Sequence, residues 1–481
     1  MKKIKIFGLL VSSMLVFNSC GEEILKVDNE STLSQTDLQD FVQNNPEKAF
    51  TLLGGLEAGN IRTMSDFGSL GNYHDDFGYN AYKLGLDFMT DDITMTTSNW
   101  FVHYLNYTAR EQASLRTRMI WQYFYRVIGV MNDGLNLIPT EGTLAPEITH
   151  IKARYLAMRA DSYFNLIRIY ANGSIGVPLA LEDPASSTPS RVPTSEIYAQ
   201  IEADLLEAYS LIDGYNRPSK EYINKNVIAG MLARYYQQVE NWPQAAVYSQ
   251  AALAGFSPMN ATQLMDGFNK ISNPEWMWGA DINTLTSSYY ASFFSNMGNL
   301  NNGYAGQLQS YKTVDKRIFD QIPASDARKG WFLDAGNPFG LPKYSNVKFV
   351  DDTDFEGDYI YMRAAEMYLI NAEANAHINP TLGAQVLENF VKTRNPAFVA
   401  STTTATLLDQ IYFQRSLELW GEGGHAYFDM KRLGQGMNRA YPGSNHTINQ
   451  FSFPAGSPKF NFQIPLIEVD NNPDLGPQNP L

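Results

Sequence analysis

The feature that most restricts the fold is a helix–turn–helix pattern between residues 223 and 254. Apolar residues recur at helical spacing on both sides of Asn241-Trp242-Pro243, where Pro243 suits the first turn of the second helix. Small residues such as Ala233 and Ala245 let the two helices approach closely, at the spacing of a tetratricopeptide pair. An ordinary antiparallel helix hairpin would use the same packing of small residues against large ones. In either case the sequence predicts paired helices here.

Helical spacing recurs elsewhere along the chain. Residues 361–377 and 382–391 form a second clear pair, and 407–420 follow as a further helix. A weaker pair runs from 151–170 to a helix that opens at Thr194. Repeats of this kind bury their apolar faces only by stacking on one another. The sequence therefore predicts a mostly α-helical fold, in which tetratricopeptide-like pairs form a superhelical scaffold.

Long stretches without a helical period separate these blocks. They cover residues 59–115, 171–193, 255–358 and 434–481 and are rich in Gly, Asn, Ser, Tyr and Trp. Loops of this length are usually either functional or disordered. Because their aromatic content argues against disorder, we expect long irregular loops that decorate the scaffold.

The N terminus has the order of a secretory signal peptide, and its pattern up to Cys20 resembles a bacterial lipobox. Residues 1–5 are basic, residues 6–17 are almost wholly apolar, and Cys20 follows as the only cysteine of the 481-residue chain. An apolar stretch of this length is too short to cross a bilayer, which takes about 20 residues in a helix. A conventional cleaved signal followed by a chance cysteine is the alternative. We expect residues 1–19 to be removed, Cys20 to carry lipid, and residues 20–48 to form a tether.

The charge balance excludes some classes of partner. Removal of residues 1–19 takes away three lysines and changes the net charge from −14 to −17. Nucleic-acid binding depends on Lys and Arg contacts with phosphates, so this balance argues against it. It also argues against electrostatic binding to anionic lipid, and acyl chains would have to hold the protein at a membrane. With one cysteine, an intrachain disulfide is impossible.

A cluster of side chains near residue 420 could suggest a catalytic or metal site: Glu418, Glu422, His425 and Asp429. Glu-x-x-His spacing occurs in helical metal sites. Glycines at 421, 423 and 424 make a regular helix through this stretch improbable. We therefore interpret it as a buried, hydrogen-bonded corner, in which the following residues pair with neighbours: Arg415, Glu418, Lys431 and Arg432.

Two further groups of acidic residues, Glu366 with Glu373 and the stretch 351–358, are interpreted as structural parts of the fold. Glu366 and Glu373 are seven residues apart, about 10.5 Å on a helix, which does not exclude a glycosidase pair. They belong to a packed helix pair, however, and Arg363 is placed for a local ion pair with Glu366. Residues 351–358 could offer oxygens to calcium but lack the full loop with its closing glutamate, so we expect a solvated turn before a helix at Tyr359. We expect no enzyme activity, no metal site and no cofactor, with structural calcium as the alternative.

Aromatic residues in the loops are better candidates for binding. Sugars present C–H faces that stack on aromatic rings, and their hydroxyls need polar partners. Asp91-Asp92 and Ser98-Asn99-Trp100-Phe101, followed by Tyr104 and Tyr107, combine both in one early loop. The candidate ligand-binding residues are Asn99, Trp100, Tyr289, Tyr290 and Trp331. The alternative is that such rings anchor loops in the core, as we expect for Trp276 and Trp278.

Several blocks of the sequence resemble the SusD/RagB family of outer-membrane nutrient-binding lipoproteins. The stretch 413–434 contains Arg415-Ser416-Leu417-Glu418, Gly421-Glu422-Gly423-Gly424-His425 and Phe428-Asp429-Met430-Lys431-Arg432. It is similar to the family's most distinctive block, with one extra glycine before His425. Residues 363–374 resemble the family's Arg-x-Ala-Glu helix. Further similar blocks, in family order, are 151–160, 176–179 and 464–480, and Glu22-Glu23 resembles a surface-export signal.

The resemblance implies a fold of tetratricopeptide-like pairs with irregular loops, and it places Asn99 and Trp100 first among the ligand-binding candidates. It also implies a lipid-anchored, surface-exposed outer-membrane protein that captures an oligosaccharide or polysaccharide for a SusC-like TonB-dependent transporter. A peptide-binding member of the family is one alternative, and a surface hydrolase is another. We expect one fold over 49–481, with a helical part to about 254, a loop-rich ligand region at 255–358 and a C-terminal helical part at 359–481.

Overall fold

A computed structural model of the protein describes residues 35–481 except 67, 69, 70 and 182–188. The predicted signal peptide and Cys20 lie outside the described residues. The α-helices within these ranges are α1 (Gln35–Asn44), α2 (Pro46–Thr63), α3 (Tyr79–Asp87), α4 (Val102–Leu105), α5 (Leu115–Leu137), α6 (Pro146–Tyr170), α7 (Thr194–Leu211), α8 (Lys225–Gln238), α9 (Trp242–Ala252), α10 (Phe293–Met297), α11 (Lys316–Gln321), α12 (Ala364–Ile378), α13 (Pro380–Val391), α14 (Thr404–Glu418), α15 (His425–Arg432) and α16 (Leu466–Asn471).

The strands of the described ranges are short and form antiparallel pairs. They are β1 (Ile93–Met95), β2 (Ile175–Pro178), β3 (Arg191–Pro193), β4 (Trp276–Ala280), β5 (Lys312–Val314), β6 (Tyr359–Arg363), β7 (Met437–Asn438) and β8 (Ser452–Phe453). The pairs are β1 with β5, β2 with β3, β4 with β6, and β7 with β8. Each pair therefore joins two loop segments instead of building a larger sheet.

The long helices stack in one continuous series, which confirms the predicted mostly α-helical scaffold. Helix α6 packs between α5 and α7, and α8 packs against both α7 and α9. Helix α12 then packs on α9, α13 and α14. Residues 253–363 lie between α9 and α12 and include the stretch 255–358 that the sequence analysis assigned to loops.

The α8–α9 pair has the packing that its small residues predict. Ala233, Ala245 and Ala252 are fully buried between the helices. Asn241 caps α9 through its side chain, which accepts a hydrogen bond from Gln244 N at 3.4 Å. Pro243 lies in the first turn, where its missing N–H has no intrahelical partner to lose.

The α12–α13 pair begins later than predicted because a strand precedes it. Residues 359–363 form β6, and Arg363 and Met362 pair with Trp276 and Trp278 of β4. Both tryptophans are fully buried, as expected. Within the pair, Gly383 lies against α12 so closely that an added Cβ would be 2.5 Å from Ala376 N. Such contact between helices requires glycine at this position.

Several helices were not predicted from the sequence. Residues 35–48 belong to α1 and the start of α2 instead of a tether, and Val42 of α1 is buried in the core. All nine residues of α3 are buried, so this helix has no polar face and no amphipathic period. Helix α5 was also missed, although it packs on α6. Among the described helices, none is long and apolar enough to cross a bilayer.

Candidate functional site

Six rings from separate loop segments form a continuous series in which each ring contacts the next. In order, this ring series consists of Trp100, His74, Tyr304, Tyr290, Phe355 and Tyr289. The centroid distances along it are 5.2, 5.7, 5.8, 6.2 and 6.0 Å. Tyr289 is 57% exposed and Tyr290 44% exposed, Phe355 is buried, and the other three rings are half-buried. The structure thus connects three of the predicted ligand-binding rings through rings that the sequence analysis did not name.

Trp100 is held in a turn that immediately precedes α4. Its backbone N–H donates to the side-chain Oδ1 of Asn99 at 2.8 Å, and Asn99 O accepts from Val102 N at the same distance. The indole stacks on His74 with the ring planes 20° apart, and Tyr73 meets it edge-on at 6.3 Å. Asn99 therefore shapes the turn that positions the ring of Trp100.

His74 and Tyr304 form the polar junction of the ring series. Tyr304 Oη and His74 Nδ1 are 2.7 Å apart, a hydrogen bond whose direction follows the imidazole tautomer. Burial lowers the pKa of His74, and the neighbouring Asp75 offsets only part of this effect, so the ring is neutral near pH 7. Asn296 of α10 also donates to His74 O at 3.3 Å. These contacts join the early loop to the 283–309 loop.

Tyr289 and Tyr290 lie in the segment that leads into α10. Tyr289 has φ of +48° and Phe355 has φ of +64°, a backbone region that non-glycine residues occupy infrequently. Ser287 Oγ donates to Phe355 O at 3.0 Å and ties the two segments together. Strained positions of this kind persist where surrounding contacts fix them, and they are frequent at ligand-binding loops.

Trp331 does not belong to this surface, which corrects the sequence prediction. Its side chain is fully buried, and its Nε1 donates to Leu264 O at 2.7 Å. Phe268 meets the ring edge-on at 5.6 Å, and the Lys348 ammonium lies 4.5 Å from the ring centre. No face of this indole is open to a ligand. Tyr104 and Tyr107 of the early loop are likewise buried.

Asp91 and Asp92 line a different region, a cavity of about 320 Å³ beside α14 and α15. Asp91 accepts from Arg317 at 2.9 Å, and Asp92 accepts from Ser416. Burial, and secondarily the charge of Asp91, raises the pKa of Asp92 to about 8. The early loop thus contributes Trp100 to the ring series and Asn99 to the turn that holds it, whereas its aspartates lie elsewhere.

The side chains near residue 420 form ion pairs, which agrees with the predicted buried corner. Positive φ values of +71°, +114° and +80° at Gly421, Gly423 and Gly424 separate α14 from α15, so no helix runs through this stretch. Glu418 and Glu422 both pair with Arg363, at 2.9 and 2.6 Å. Their carboxylates are therefore engaged within the core.

The partners of these charges were only partly predicted. Arg415 and Arg432 both pair with Asp429 at 2.7 Å. Lys431 instead donates hydrogen bonds to the backbone carbonyl of Arg168 and to the side-chain oxygen of Asn461. Burial lowers the pKa of His425 to about 3, so its imidazole is neutral. Within the described ranges, no three His, Cys, Asp or Glu side chains come together as a metal site.

The predicted local pair between Arg363 and Glu366 is wrong. Arg363 ends β6 and faces Glu275, Glu418 and Glu422. Glu366 instead pairs with Arg234 of α8 at 2.6 Å, which contributes to holding its pKa at about 2 despite burial. Glu373 pairs with Arg432 at 2.5 Å. Both glutamates thus join neighbouring elements, as their structural interpretation requires.

The acidic turn at 351–358 is less solvated than predicted and leads into β6 instead of a helix. The carboxylate of Asp358 accepts from Ile271 N at 2.6 Å and Ile282 N at 2.8 Å. Burial raises its pKa to about 6. Asp351 is also buried and accepts from Thr353. Structural calcium stays the alternative interpretation of this turn.

Sequence reasoning missed His74, Tyr304 and Phe355 in the ring series. His74 and Tyr304 share one signal with Trp100, because each follows closely on Asn or Gly in a stretch without helical period. Asn72-Tyr73-His74 and Asn302-Gly303-Tyr304 could have been found in this way. Phe355 lies within an acidic turn and carries no such signal.

Two family models match the chain. The model of the SusD family matches residues 334–481, and a model described as "Starch-binding associating with outer membrane" matches residues 73–237. Together they cover more than half of the chain. No curated protein sequence matches it.

Solved structures with the same architecture cover nearly the whole chain. A SusD-like carbohydrate-binding protein from Bacteroides vulgatus is 26% identical, with a TM-score of 0.78 over 89% of this chain and 97% of that one. A SusD superfamily protein from Bacteroides thetaiotaomicron is 21% identical, with a TM-score of 0.74 over 90% and 100%. A laminarin-binding SusD-like protein is 20% identical, with a TM-score of 0.66 over 89% and 99%. The last two likenesses concern the fold alone.

Proposed function

The chain belongs to the SusD/RagB family, and we propose that it binds an oligosaccharide or polysaccharide at the cell surface and delivers it to a SusC-like TonB-dependent transporter of the outer membrane. The observation that carries the binding proposal is the ring series. The carbohydrate-binding description of the Bacteroides vulgatus protein supports the ligand class, since that protein covers most of this chain.

The ring series has the properties that recognition of a sugar chain requires. Tyr289 and Tyr290 offer exposed rings and Trp100 a half-exposed indole, all of which suit stacking against C–H faces. The hydroxyl of Tyr304 and the imidazole of His74 lie between them and can exchange hydrogen bonds with sugar hydroxyls. Because contacts between the loops already fix these rings, binding loses little conformational entropy.

Isothermal titration calorimetry against a panel of glycans tests the proposal. Trp100→Ala and Tyr290→Ala each remove one ring of the series, and Phe339→Ala removes a 53% exposed ring that is not in it. We expect each series variant to weaken glycan binding about 2- to 10-fold, which corresponds to about 0.5–1.5 kcal/mol for an aromatic contact. Phe339→Ala should leave the affinity unchanged.

Three results would oppose this assignment. Equal glycan affinities for wild type and both series variants would remove the ring series from the binding site. Binding of peptides, with no glycan bound, would favour the peptide-uptake alternative. Release of shortened sugars from a bound glycan would indicate a hydrolase instead.

The membrane anchor and the transporter need separate experiments. We propose that Cys20, outside the described residues, carries the lipid that holds the protein at the outer membrane. Cys20→Ser should move the protein from the detergent phase to the aqueous phase in Triton X-114 partitioning, and wild-type partitioning of the variant would contradict the anchor. Co-purification of a TonB-dependent barrel with the wild-type protein from detergent-solubilised outer membranes is the expected result for the partner.

A further inference from the structure

Arg168, in the last turn of α6, is held between two aromatic rings. Its guanidinium carbon lies 3.8 Å from the ring centre of Phe164 and 3.6 Å from that of Phe428. Nε donates to Phe164 O at 3.0 Å and Nη2 to Asn165 Oδ1 at 3.2 Å. In the part of the chain that the structure describes, no carboxylate forms an ion pair with this guanidinium. The two rings fix its plane but do not neutralise its charge.

A second cation without a carboxylate partner lies beside it. Lys431 Nζ donates to Arg168 O and to Asn461 Oδ1, the latter at 2.9 Å. Burial lowers the pKa of Lys431 to about 7 and that of Arg168 to about 10, and Arg168 further lowers the pKa of Lys431. Arg168 is therefore charged at neutral pH, where Asp161 attracts it without forming an ion pair, and Lys431 is protonated in about half of the molecules. A bound anion would favour the protonated form of Lys431. The negative end of the α6 dipole, about half a charge, offsets only part of the positive charge.

Both cations line one solvent-accessible cavity of about 230 Å³. Its polar lining residues are Arg168, Tyr198, Gln238, Lys431, Arg432 and Asn461. Among the described residues that line it there is no Asp or Glu. Arg432 has its own carboxylates in Asp429 and Glu373, so the cations of this cavity without an ion-paired carboxylate among the described residues are Arg168 and Lys431. This accumulation is unusual in a protein whose net charge is −14.

We propose that this cavity binds a small oxyanion, held by Arg168 and Lys431. The planar guanidinium matches the two oxygens of a phosphate, sulfate or carboxylate. The ammonium of Lys431, which contacts Arg168 O, adds a point charge in the same cavity. A cavity of this volume accommodates a tetrahedral anion with several waters, at about 30 Å³ for each water. The oxyanion is either a free inorganic ion or the acidic group of a charged sugar. The site shares no residue with the ring series, so it stands or falls independently of the proposed function.

Calorimetry on the full-length protein in detergent and chloride buffer tests the site. The probes are sodium sulfate, sodium phosphate and sodium glucuronate, with glucose as the uncharged counterpart of glucuronate. Lys431→Gln removes one cation and retains a polar side chain. Lys270→Gln is the matched control. The side chain of Lys270 is 61% exposed, and it already has a carboxylate partner in Asp352 at 3.7 Å.

We expect saturable binding of at least one anion, with no binding of glucose. Lys431→Gln should weaken it about tenfold or more, since one charge-assisted hydrogen bond is lost, whereas Lys270→Gln should not. Binding of sulfate or phosphate identifies a free-ion site, and binding of glucuronate alone identifies the acidic group of a sugar. Absence of saturable binding for all three anions, or equal affinities for the two lysine variants, would overturn the proposal.

A measurement on the wild-type protein keeps the test independent of variant folding. Crystals soaked in sodium selenate should show an anomalous selenium peak between Arg168 and Lys431. Selenate has the shape and charge of sulfate, so a sulfate-binding cavity would also accept it. If calorimetry selects glucuronate alone, difference density for the sugar carboxylate replaces the selenium peak as the expected result. Density for the bound probe only at other places would refute the assignment.

Discussion

Replacement of Glu418 by Gln should strongly destabilise the protein, because Glu418 is at the centre of a buried ion network. The network contains four cationic and four anionic side chains: Arg328, Lys348, Arg363, Arg394, Glu275, Asp326, Glu418 and Glu422. Each of these side chains is at most 1% exposed. Glu418 accepts from Arg328, Arg363 and Arg394, each at 2.9 Å.

The size of the expected loss in the free energy of unfolding follows from the charge that Glu418→Gln leaves unpaired. Four positive and four negative groups balance in the wild type, so Glu418→Gln leaves one buried positive charge without a partner. Breaking a buried pair in this way costs about 3–5 kcal/mol. A Gln side chain of similar size creates no cavity, and the loss therefore reports the charge and its hydrogen bonds.

Urea unfolding at pH 7, followed by circular dichroism, measures the effect. Glu388→Gln is the matched control, since Glu388 pairs with Lys392 on the surface, where water screens the interaction. We expect the control to lose far less stability than Glu418→Gln. Similar losses for the two variants would refute the reasoning that the buried network stabilises the fold.

The same comparison has a defined pH dependence. Arg394, Arg363 and Arg328 hold the pKa of Glu418 well below its usual value of 4.5, against the opposing effect of burial. A depressed carboxyl pKa adds stability above the unfolded-state pKa, and this stability is lost as the pH falls towards the folded-state value. The difference between wild type and Glu418→Gln should therefore be constant near neutrality and shrink progressively below about pH 4.5.

Two other substitutions test packing and burial. Asp92→Asn should become more stable relative to wild type as the pH rises from about 4 to 8 in urea titrations. Burial raises the pKa of Asp92 to about 8 in the folded wild type, so its ionisation disfavours folding over this range. A difference in stability that does not change with pH would contradict this. Gly383→Ala should lower the free energy of unfolding by about 1–3 kcal/mol, since its Cβ would meet Ala376 N at 2.5 Å. Gly54→Ala, in α2 with no atom near its added Cβ, should instead stabilise by about 0.5–1 kcal/mol, and the same sign for both glycine variants would refute the packing argument.

The sequence predicted best the helices that carry one apolar face. Helices α7, α9 and α13 were found because their buried residues recur at helical spacing. Helix α8 is buried along most of its length and was found through its apolar residues and the turn that leads to α9. Helix α3 was missed because all its residues are buried, and periodicity cannot detect a helix without a polar face. Residues 359–363 were predicted as helix, but their bonds to β4, about 80 residues earlier, decide that they form a strand. Such pairing is not visible in a local window.

The sequence predicted that aromatic residues in the loops are the binding candidates, but it did not predict which of these rings reach the surface. Trp100, Tyr290 and Trp331 all lie where the sequence has no helical period, and local sequence does not distinguish an exposed ring from a buried one. For Trp331 the difference depends on Leu264, whose carbonyl accepts the indole N–H across 67 residues of chain. His74 and Tyr304 were missed for the same reason, since their contact joins loops 230 residues apart. Contacts of this range are made only by the folded chain.

The residues that identify the family and the rings that we propose to bind the ligand occupy different places, but β6 connects them. Arg363 ends β6 within the ion network, and Tyr359 begins it, with Tyr359 Oη accepting from Phe293 N of α10 at 3.4 Å. Helix α10 directly follows the segment of Tyr289 and Tyr290. A rigid network therefore supports the loop that presents these rings, while the rings can vary without disturbing the buried charges. Substitutions of Tyr289 and Tyr290, the exposed rings of the series, should change which glycan is bound at nearly constant stability. Loosening the network should instead reduce both stability and glycan affinity.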